Sequence, residues 1–120
     1  LPFAIIEKET NLMIGGCSLR PIDGDPQMVN IGYAIAPKFH GKGHGTQAIK
    51  AMVHEAFSNR KAQRISAEVF EGNIPSKRIL EKIDFTLEGT LRRAHCKQGK
   101  WLDKWIFGIT RPDWENNNTP

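Results

Sequence analysis

The chain has 120 residues and a mass of 13.5 kDa, a length that fits one domain and excludes a second independently folded unit. Hydrophobic residues make up 39% and charged residues 25%, so a globular core is expected and a disordered chain is excluded. The net charge of +4 comes without a dense basic run, and no apolar stretch is long enough to span a bilayer.

The chain opens with patterns that are typical of β-strands. Two apolar runs, residues 3–6 and 12–19, bracket a polar turn and predict a hairpin. Residues 21–26 contain two prolines and an Asp-Gly-Asp run, which predict a loop. Apolar and polar residues then alternate over 29–35 and predict a third strand, in which Gly32 indicates a bulge.

A helix, a strand and a short helix follow a glycine-rich stretch. Residues 49–57 carry apolar side chains at i, i+3, i+4, i+7 and i+8, which predicts an amphipathic helix. Residues 64–69 alternate and predict a fourth strand. Asn73 and Pro75 then open a short second helix, because Asn caps helix starts and Pro suits the first turn.

The last third of the chain predicts a second hairpin. Residues 86–93 and 101–109 read as strands, and the turn lies at 97–100. The order of strands and helices indicates a mixed sheet with helices packed on it, an α/β or α+β fold. We expect one domain over residues 1–115 and a disordered tail over 116–120.

The segment between the third strand and the first helix is the strongest chemical signal. It places Gly41, Gly43 and Gly45 where the backbone turns into a helix N-terminus, and Lys38 and Lys42 add positive charge. Free N–H groups at such a terminus bind anions, and glycines let a pyrophosphate approach the backbone. The spacing matches neither a Walker nor a Rossmann loop, and a tight turn without a ligand is the alternative.

These residues resemble the GNAT superfamily of acyl-CoA-dependent N-acetyltransferases. The stretch from His40 to Gly45 fits its [QR]-x-x-G-x-[GA] signature, except that His40 replaces Gln or Arg. The run NIPSKRILEKIDFTLEGTLR is similar to the family pattern N-x-x-S-x-x-x-x-E-K-x-G-F-x-x-E-G, with Asp84 in place of Gly. The final GKWLDKWIFGITRPDW resembles the branch that acetylates ribosomal-protein N-termini. The family's opening strand and first two helices have no counterpart, so we expect an N-terminally incomplete domain.

The resemblance implies a mostly antiparallel sheet with a splayed strand pair, flanking helices and acetyl-CoA as cosubstrate. Strand backbone would pair with pantetheine, the glycine-rich loop would bind pyrophosphate, and residues of the second helix would complete the site. The implied cofactor-binding residues are Ala34, Ile35, Ala36, His40, Gly41, Lys42, Gly43, His44, Gly45, Thr46, Asn73, Ser76 and Lys77.

The resemblance also implies catalytic residues. Ser76 is the candidate general acid for the departing thiolate, although helix capping is an alternative role for Ser76 and Asn73. Asn30 stands where many relatives carry a Glu, and because Asn cannot take a proton, it would act by holding a water. Asp25 or a residue outside the chain are the other candidate bases. Tyr33 is a catalytic candidate whose commoner role is sheet packing.

The implied function is transfer of an acetyl group from acetyl-CoA to a primary amine, either a protein N-terminus or a small amine. A CoA-binding module without turnover is the alternative, and RNA association through the basic surface is a third. We expect no metal and no membrane, and leave a homodimer open. Cys17 and Cys96 lack metal or redox spacing, which favours free thiols in the cytoplasm. A buried Asp103 would need a partner, and an ion pair is favoured over the alternative that its carboxylate receives an amine substrate.

Overall fold

The computed structural model describes residues 2–117, and its six strands form one sheet. Helices follow the third, fourth and sixth strands, and a π-helical turn at Glu55–Asn59 extends the first helix. The elements are β1 (Pro2–Glu7), β2 (Leu12–Ile22), β3 (Asp25–Ile35), α1 (His44–His54), β4 (Arg64–Phe70), α2 (Ile74–Lys82), β5 (Thr86–Lys97), β6 (Lys100–Thr110) and α3 (Arg111–Asn117).

The strand order is β1-β2-β3-β4-β6-β5, and every neighbouring pair is antiparallel except β3 and β4. This confirms the predicted mixed, mostly antiparallel α+β fold. The parallel pairing is short, because it joins Met28–Asn30 only to Arg64–Ser66. Beyond Asn30 the two strands separate, and residues 31–35 of β3 present an edge that β4 does not cover.

Two local predictions about this part of the sheet are wrong. The β2–β3 register runs through Gly32 opposite Ser18 without a shift, so the strands separate without a bulge at Gly32. The predicted loop 21–26 is mostly strand, and the chain reverses at Asp23 and Gly24 alone. Both adopt positive φ values, 52° and 75°, which close a two-residue hairpin turn.

The core lies between the sheet and its helices. Alternate residues of β2, β3, β4 and β6 are buried with apolar residues of α1 and α2, among them Ile49, Ile65, Leu80 and Phe107, each fully covered. Burying each such side chain contributes about 1.5–3 kcal/mol. Phe57 in the π-helical turn is covered too, which confirms the apolar stripe predicted for the first helix.

The chain continues from β6 into α3. The Thr110 amide donates to the Asp113 carboxylate (3.1 Å), and the Asp113 amide donates to the Thr110 hydroxyl (3.4 Å), a reciprocal cap. Trp114 stacks on Phe57 with ring centroids 5.2 Å apart. Residues 116 and 117 thus belong to a capped, packed helix, contrary to the predicted tail, and 118–120 lie outside the described residues. Over the described range, no helix has the length and apolar character that crossing a membrane requires.

Candidate functional site

A cavity of about 570 Å³ opens where the end of β3, the glycine-rich loop and the starts of α1 and α2 meet. Of the residues predicted to bind the cofactor, ten line it, whereas Ala36, Lys42 and Lys77 do not. The lining comprises Tyr33, Ala34, Ile35, Phe39, His40, Gly41, Gly43, His44, Gly45, Thr46, Asn73, Pro75, Ser76, Arg78, Ile79 and Lys82.

The uncovered edge of β3 forms one wall of this cavity. The Ala36 amide donates to the Ile14 carbonyl at 2.8 Å, so that N–H is not available to a ligand, contrary to the prediction. Backbone groups of alternate strand residues point to the same edge, so Ala34 also points its amide toward β2, and Tyr33 and Ile35 point theirs toward the opening. The Ile35 carbonyl accepts a hydrogen bond from His40 Nε2 at 2.6 Å, which holds the loop over the strand end.

The glycines of the loop have distinct structural tasks. Gly41 and Gly43 adopt φ values of 77° and 82°, a conformation that other residues adopt only with strain. Gly43 is the N-cap of α1 and offers no side chain to the first turn. A Cβ on Gly45 would lie 2.8 Å from Ile79 Cδ1, so glycine permits the close approach of α1 to α2. The N–H groups of the first turn of α1 therefore face the cavity and can bind an anion.

The charges around the cavity are positive. Arg78 and Lys82 line it from α2, and none of the described lining residues is acidic. His44 Nε2 lies 2.9 Å from Glu7 Oε2, which ties the start of α1 to the end of β1. Lys42 Nζ lies 5.4 Å from the centre of the Phe39 ring instead of lining the cavity.

Lys77, also outside the lining, has its Nζ 5.3 Å from the centre of the Trp105 ring. The α2 cations that line the cavity are thus Arg78 and Lys82. This distribution fits a ligand with several negative charges.

Three polar side chains meet at the start of α2. The Asn73 carboxamide oxygen accepts a hydrogen bond from the Ser76 amide at 3.4 Å, so Asn73 caps the helix and lines the cavity as well. Tyr33 Oη and Ser76 Oγ are 2.5 Å apart. Burial raises the pKa of the Tyr33 phenol, and the hydrogen bond with Ser76 offsets part of that rise. The phenol is therefore protonated near neutral pH.

The other candidates from the sequence lie away from the cavity. The Asn30 amide donates to Ser66 Oγ at 3.4 Å, at the last residue of β3 that pairs with β4. Asp25 is at the opposite end of β3 from Tyr33, where its carboxylate accepts the Gln27 amide at 2.9 Å.

The Asp103 carboxylate accepts a hydrogen bond from the Arg93 amide at 2.9 Å, so its partner is a backbone N–H and the predicted ion pair is wrong. The β5 strand bulges near Arg93, and this irregularity turns the amide toward β6. Over residues 2–117, no group of three or more His, Cys, Asp or Glu side chains could hold a metal ion.

The sequence patterns did not identify Glu68, an acidic residue at the opening between β3 and β4, as a candidate. Ala67 and Val69 of β4 are buried under the helices, so Glu68 between them points to the opposite face, where Lys104 Nζ lies 3.2 Å from its carboxylate. Glu68 follows the last β3–β4 pair by two residues and therefore borders the separated strands. The alternation of residues 64–69 predicts the face of β4 on which Glu68 lies. No sequence pattern, however, predicts where β3 and β4 separate.

Comparison with known families agrees with this geometry. The family model described as "Acetyltransferase (GNAT) domain" matches residues 1–86. "Probable N-acetyltransferase YjcK" of Bacillus subtilis (strain 168) is 37% identical over 112 residues, covering 92% of this chain and 62% of that protein. The Escherichia coli (strain K12) ribosomal protein uS5 alanine N-acetyltransferase is 26% identical over 113 residues, covering 93% of this chain and 58% of that protein.

Solved structures of the same family share the fold. A GNAT-family acetyltransferase crystal structure from Bacillus anthracis superimposes with a TM-score of 0.83 at 28% identity, covering 91% of this chain and 65% of that one. The chain thus spans less than two thirds of the length of each of these three proteins.

Proposed function

The chain belongs to the GNAT family of acetyltransferases, and we propose on that basis that it transfers the acetyl group of acetyl-CoA to a primary amine by direct attack on the thioester. The observation that carries the proposal is the uncovered edge of β3 beside a basic cavity. A pantetheine arm carries amides that can pair with such an edge as an added strand would. A helix N-terminus at the same cavity suits the pyrophosphate.

Different residues of the site are assigned to different parts of the cofactor. The outward N–H and C=O of Tyr33 and the outward N–H of Ile35 meet the pantetheine amides, since the Ile35 carbonyl already accepts from His40. The loop from His40 to Thr46 takes the pyrophosphate, and Arg78 and Lys82 take a further phosphate. The Asn73 carboxamide, already the cap of α2, borders the arm.

The chemical step requires two proton transfers. An ammonium must lose a proton before attack, and the thiolate gains one as the C–S bond breaks. Ser76, on the first turn of α2, lines the cavity and is the proposed acid for the thiolate. We assign the base to Glu68, which faces the side of the sheet opposite the helices, where an acceptor amine can approach. Asn30 then orders a water rather than taking the proton.

The proposal also covers the acceptor amine and the cellular compartment. The E. coli relative is named for the alanine of a ribosomal protein, so a peptide that begins with alanine is our first acceptor, and a small amine is the second. The free cysteines, buried Cys17 and exposed Cys96, fit the cytoplasm as the compartment. A CoA-binding module without turnover is the alternative.

The test is acetyl transfer by the purified chain, followed as release of free CoA thiol. The panel holds a peptide with N-terminal alanine, the same peptide blocked at its N-terminus, and spermidine. We expect release with a free amine and none with the blocked peptide. Binding of acetyl-CoA without release with any amine would contradict catalysis and support the binding module.

A further inference from the structure

We propose that Tyr33 is a positioning residue for Ser76: its phenol donates a hydrogen bond to Ser76 Oγ and thereby directs the serine's own proton into the cavity. The inference rests on the proposed function, because it gives Ser76 its direction as the acid of that reaction. It joins two elements, since Tyr33 lies on β3 and Ser76 on the first turn of α2.

The geometry restricts both hydroxyl groups. Tyr33 Oη and Ser76 Oγ are 2.5 Å apart in a partly buried setting, a short distance for two hydroxyls. The backbone of Ser76 is held because its amide donates to the Asn73 carboxamide at 3.4 Å. Both side chains line the cavity, so the pair is in reach of a ligand there.

The direction of the hydrogen bond follows from acidity. A phenol is a much stronger acid than an aliphatic alcohol and so the better donor, and burial raises the pKa of Tyr33, which keeps its proton in place. Other ionisable groups face the same cavity: His40 and His44 from the loop and the start of α1, and Arg78 and Lys82 from α2. Cys17 is the partner of Tyr33 on β2.

The proton balance of the step is then defined. A serine hydroxyl has one proton and two lone pairs, so once Oγ accepts from Tyr33, its proton points away from the phenol. When the C–S bond breaks, sulfur keeps the electron pair and takes the Ser76 proton. The Tyr33 proton moves to Oγ, and the phenolate regains a proton from water. No group is oxidised or reduced.

The kinetic test uses Tyr33→Phe, which keeps the ring and removes the hydroxyl. We expect kcat with acetyl-CoA to fall about tenfold while the Kd for acetyl-CoA stays within about twofold, because the donor acts on proton transfer and not on binding. Ser76→Ala should lose at least as much, and adding Tyr33→Phe to it should cost nothing further. Ser58→Ala, in the π-helical turn and outside the cavity lining, is the matched control and should keep full activity.

A second readout does not depend on activity, because Tyr33 is the single tyrosine of the chain. Its ionisation can be followed by tyrosinate absorbance. The midpoint should lie above the ordinary value of 10. It should rise further in Ser76→Ala but not in Ser58→Ala, because once Tyr33 has lost its proton the Ser76 hydroxyl turns to donate to the phenolate and stabilises it. The activity of the parent should also decline as Tyr33 ionises, and Tyr33→Phe should lack that decline.

The outcomes separate the two claims. Full activity of Tyr33→Phe, or a midpoint that Ser76→Ala leaves unchanged, overturns the positioning role alone. A parent chain that acetylates no amine overturns the proposed function and this inference together. A fall in kcat together with the shifted midpoint supports both.

Discussion

Among single residues, Glu68 is the one that we propose as the base for the acceptor amine. Its side chain is about half exposed, 49%, and pairs with Lys104, which holds the carboxylate beside the β3–β4 opening. A carboxylate with access to water can take a proton from an ammonium and release it to solvent. Its position, two residues beyond the last paired residue, depends on where the two strands separate, which is a property of the folded sheet.

We predict that Glu68→Gln lowers kcat/KM for acetyl transfer about 100-fold, because the amide has the shape of the carboxylate but accepts no proton. The Kd for acetyl-CoA should be unchanged, since the residue faces away from the helices that border the cavity. Steady-state kinetics measures the change in kcat/KM, and calorimetry measures the Kd for acetyl-CoA. Glu81→Gln on α2, an exposed residue, is the matched control. Wild-type kinetics of Glu68→Gln would remove the base assignment.

At the scale of elements, the start of α2 serves both the fold and the site. Asn73 caps the helix, as one of its two predicted roles requires, and it also lines the cavity; its role in binding the cofactor stays a prediction. The sequence could predict this because caps are local: Asn, Pro and Ser within four residues specify a helix start. It could not predict that Tyr33 reaches Ser76, because that contact joins residues 43 positions apart.

Asn73→Ala should lower the free energy of unfolding by about 0.5–1 kcal/mol, because the Ser76 amide loses its acceptor. Denaturant unfolding measures the loss. Asn73→Ser should recover most of it, since serine also caps helices, while its shorter side chain still weakens acetyl-CoA binding. Equal stability of the alanine variant and the parent would show that the cap contributes nothing.

A second link between elements joins β1 to α1 and depends on pH. The pKa of Glu7 lies below its ordinary 4.5 because the Thr10 hydroxyl donates to the carboxylate and, to a smaller extent, His44 does so as well. A lowered pKa means that the carboxylate stabilises the fold above about 4.5, and that this contribution is lost as pH falls through the folded-state value.

Glu7→Gln should therefore lower Tm near neutral pH, and the difference from the parent should shrink as pH falls below 4.5 and through the lowered pKa of Glu7. Thermal unfolding at several pH values checks this. Glu9→Gln, in the turn after β1, is the control and should follow the parent throughout. A Tm difference that is independent of pH would mean that the charge of Glu7 does not matter.

For the whole molecule, local sequence patterns predicted most of the strands and helices. Features that depend on pairing between distant strands could not be predicted in this way. Alternation identified the strands, and the stripe 49–57 identified the first helix, because each pattern has one buried face. The β3–β4 opening was implied only by family resemblance, since pairing between distant strands has no local signature. The turn at Asp23 and Gly24 was mistaken for a loop because the prolines obscured it.

We propose that the glycine-rich loop and the β3 edge bind acetyl-CoA, and calorimetric titration of the purified chain with acetyl-CoA measures this binding. Gly43→Glu places a side chain and a negative charge at the N-cap of α1, and Gly99→Glu imposes the same change at a similar positive φ, 79°, in the β5–β6 turn. We predict micromolar binding by the parent and by Gly99→Glu, and binding at least about 30-fold weaker in Gly43→Glu. No binding by the parent, or equal binding by both variants, would contradict the account.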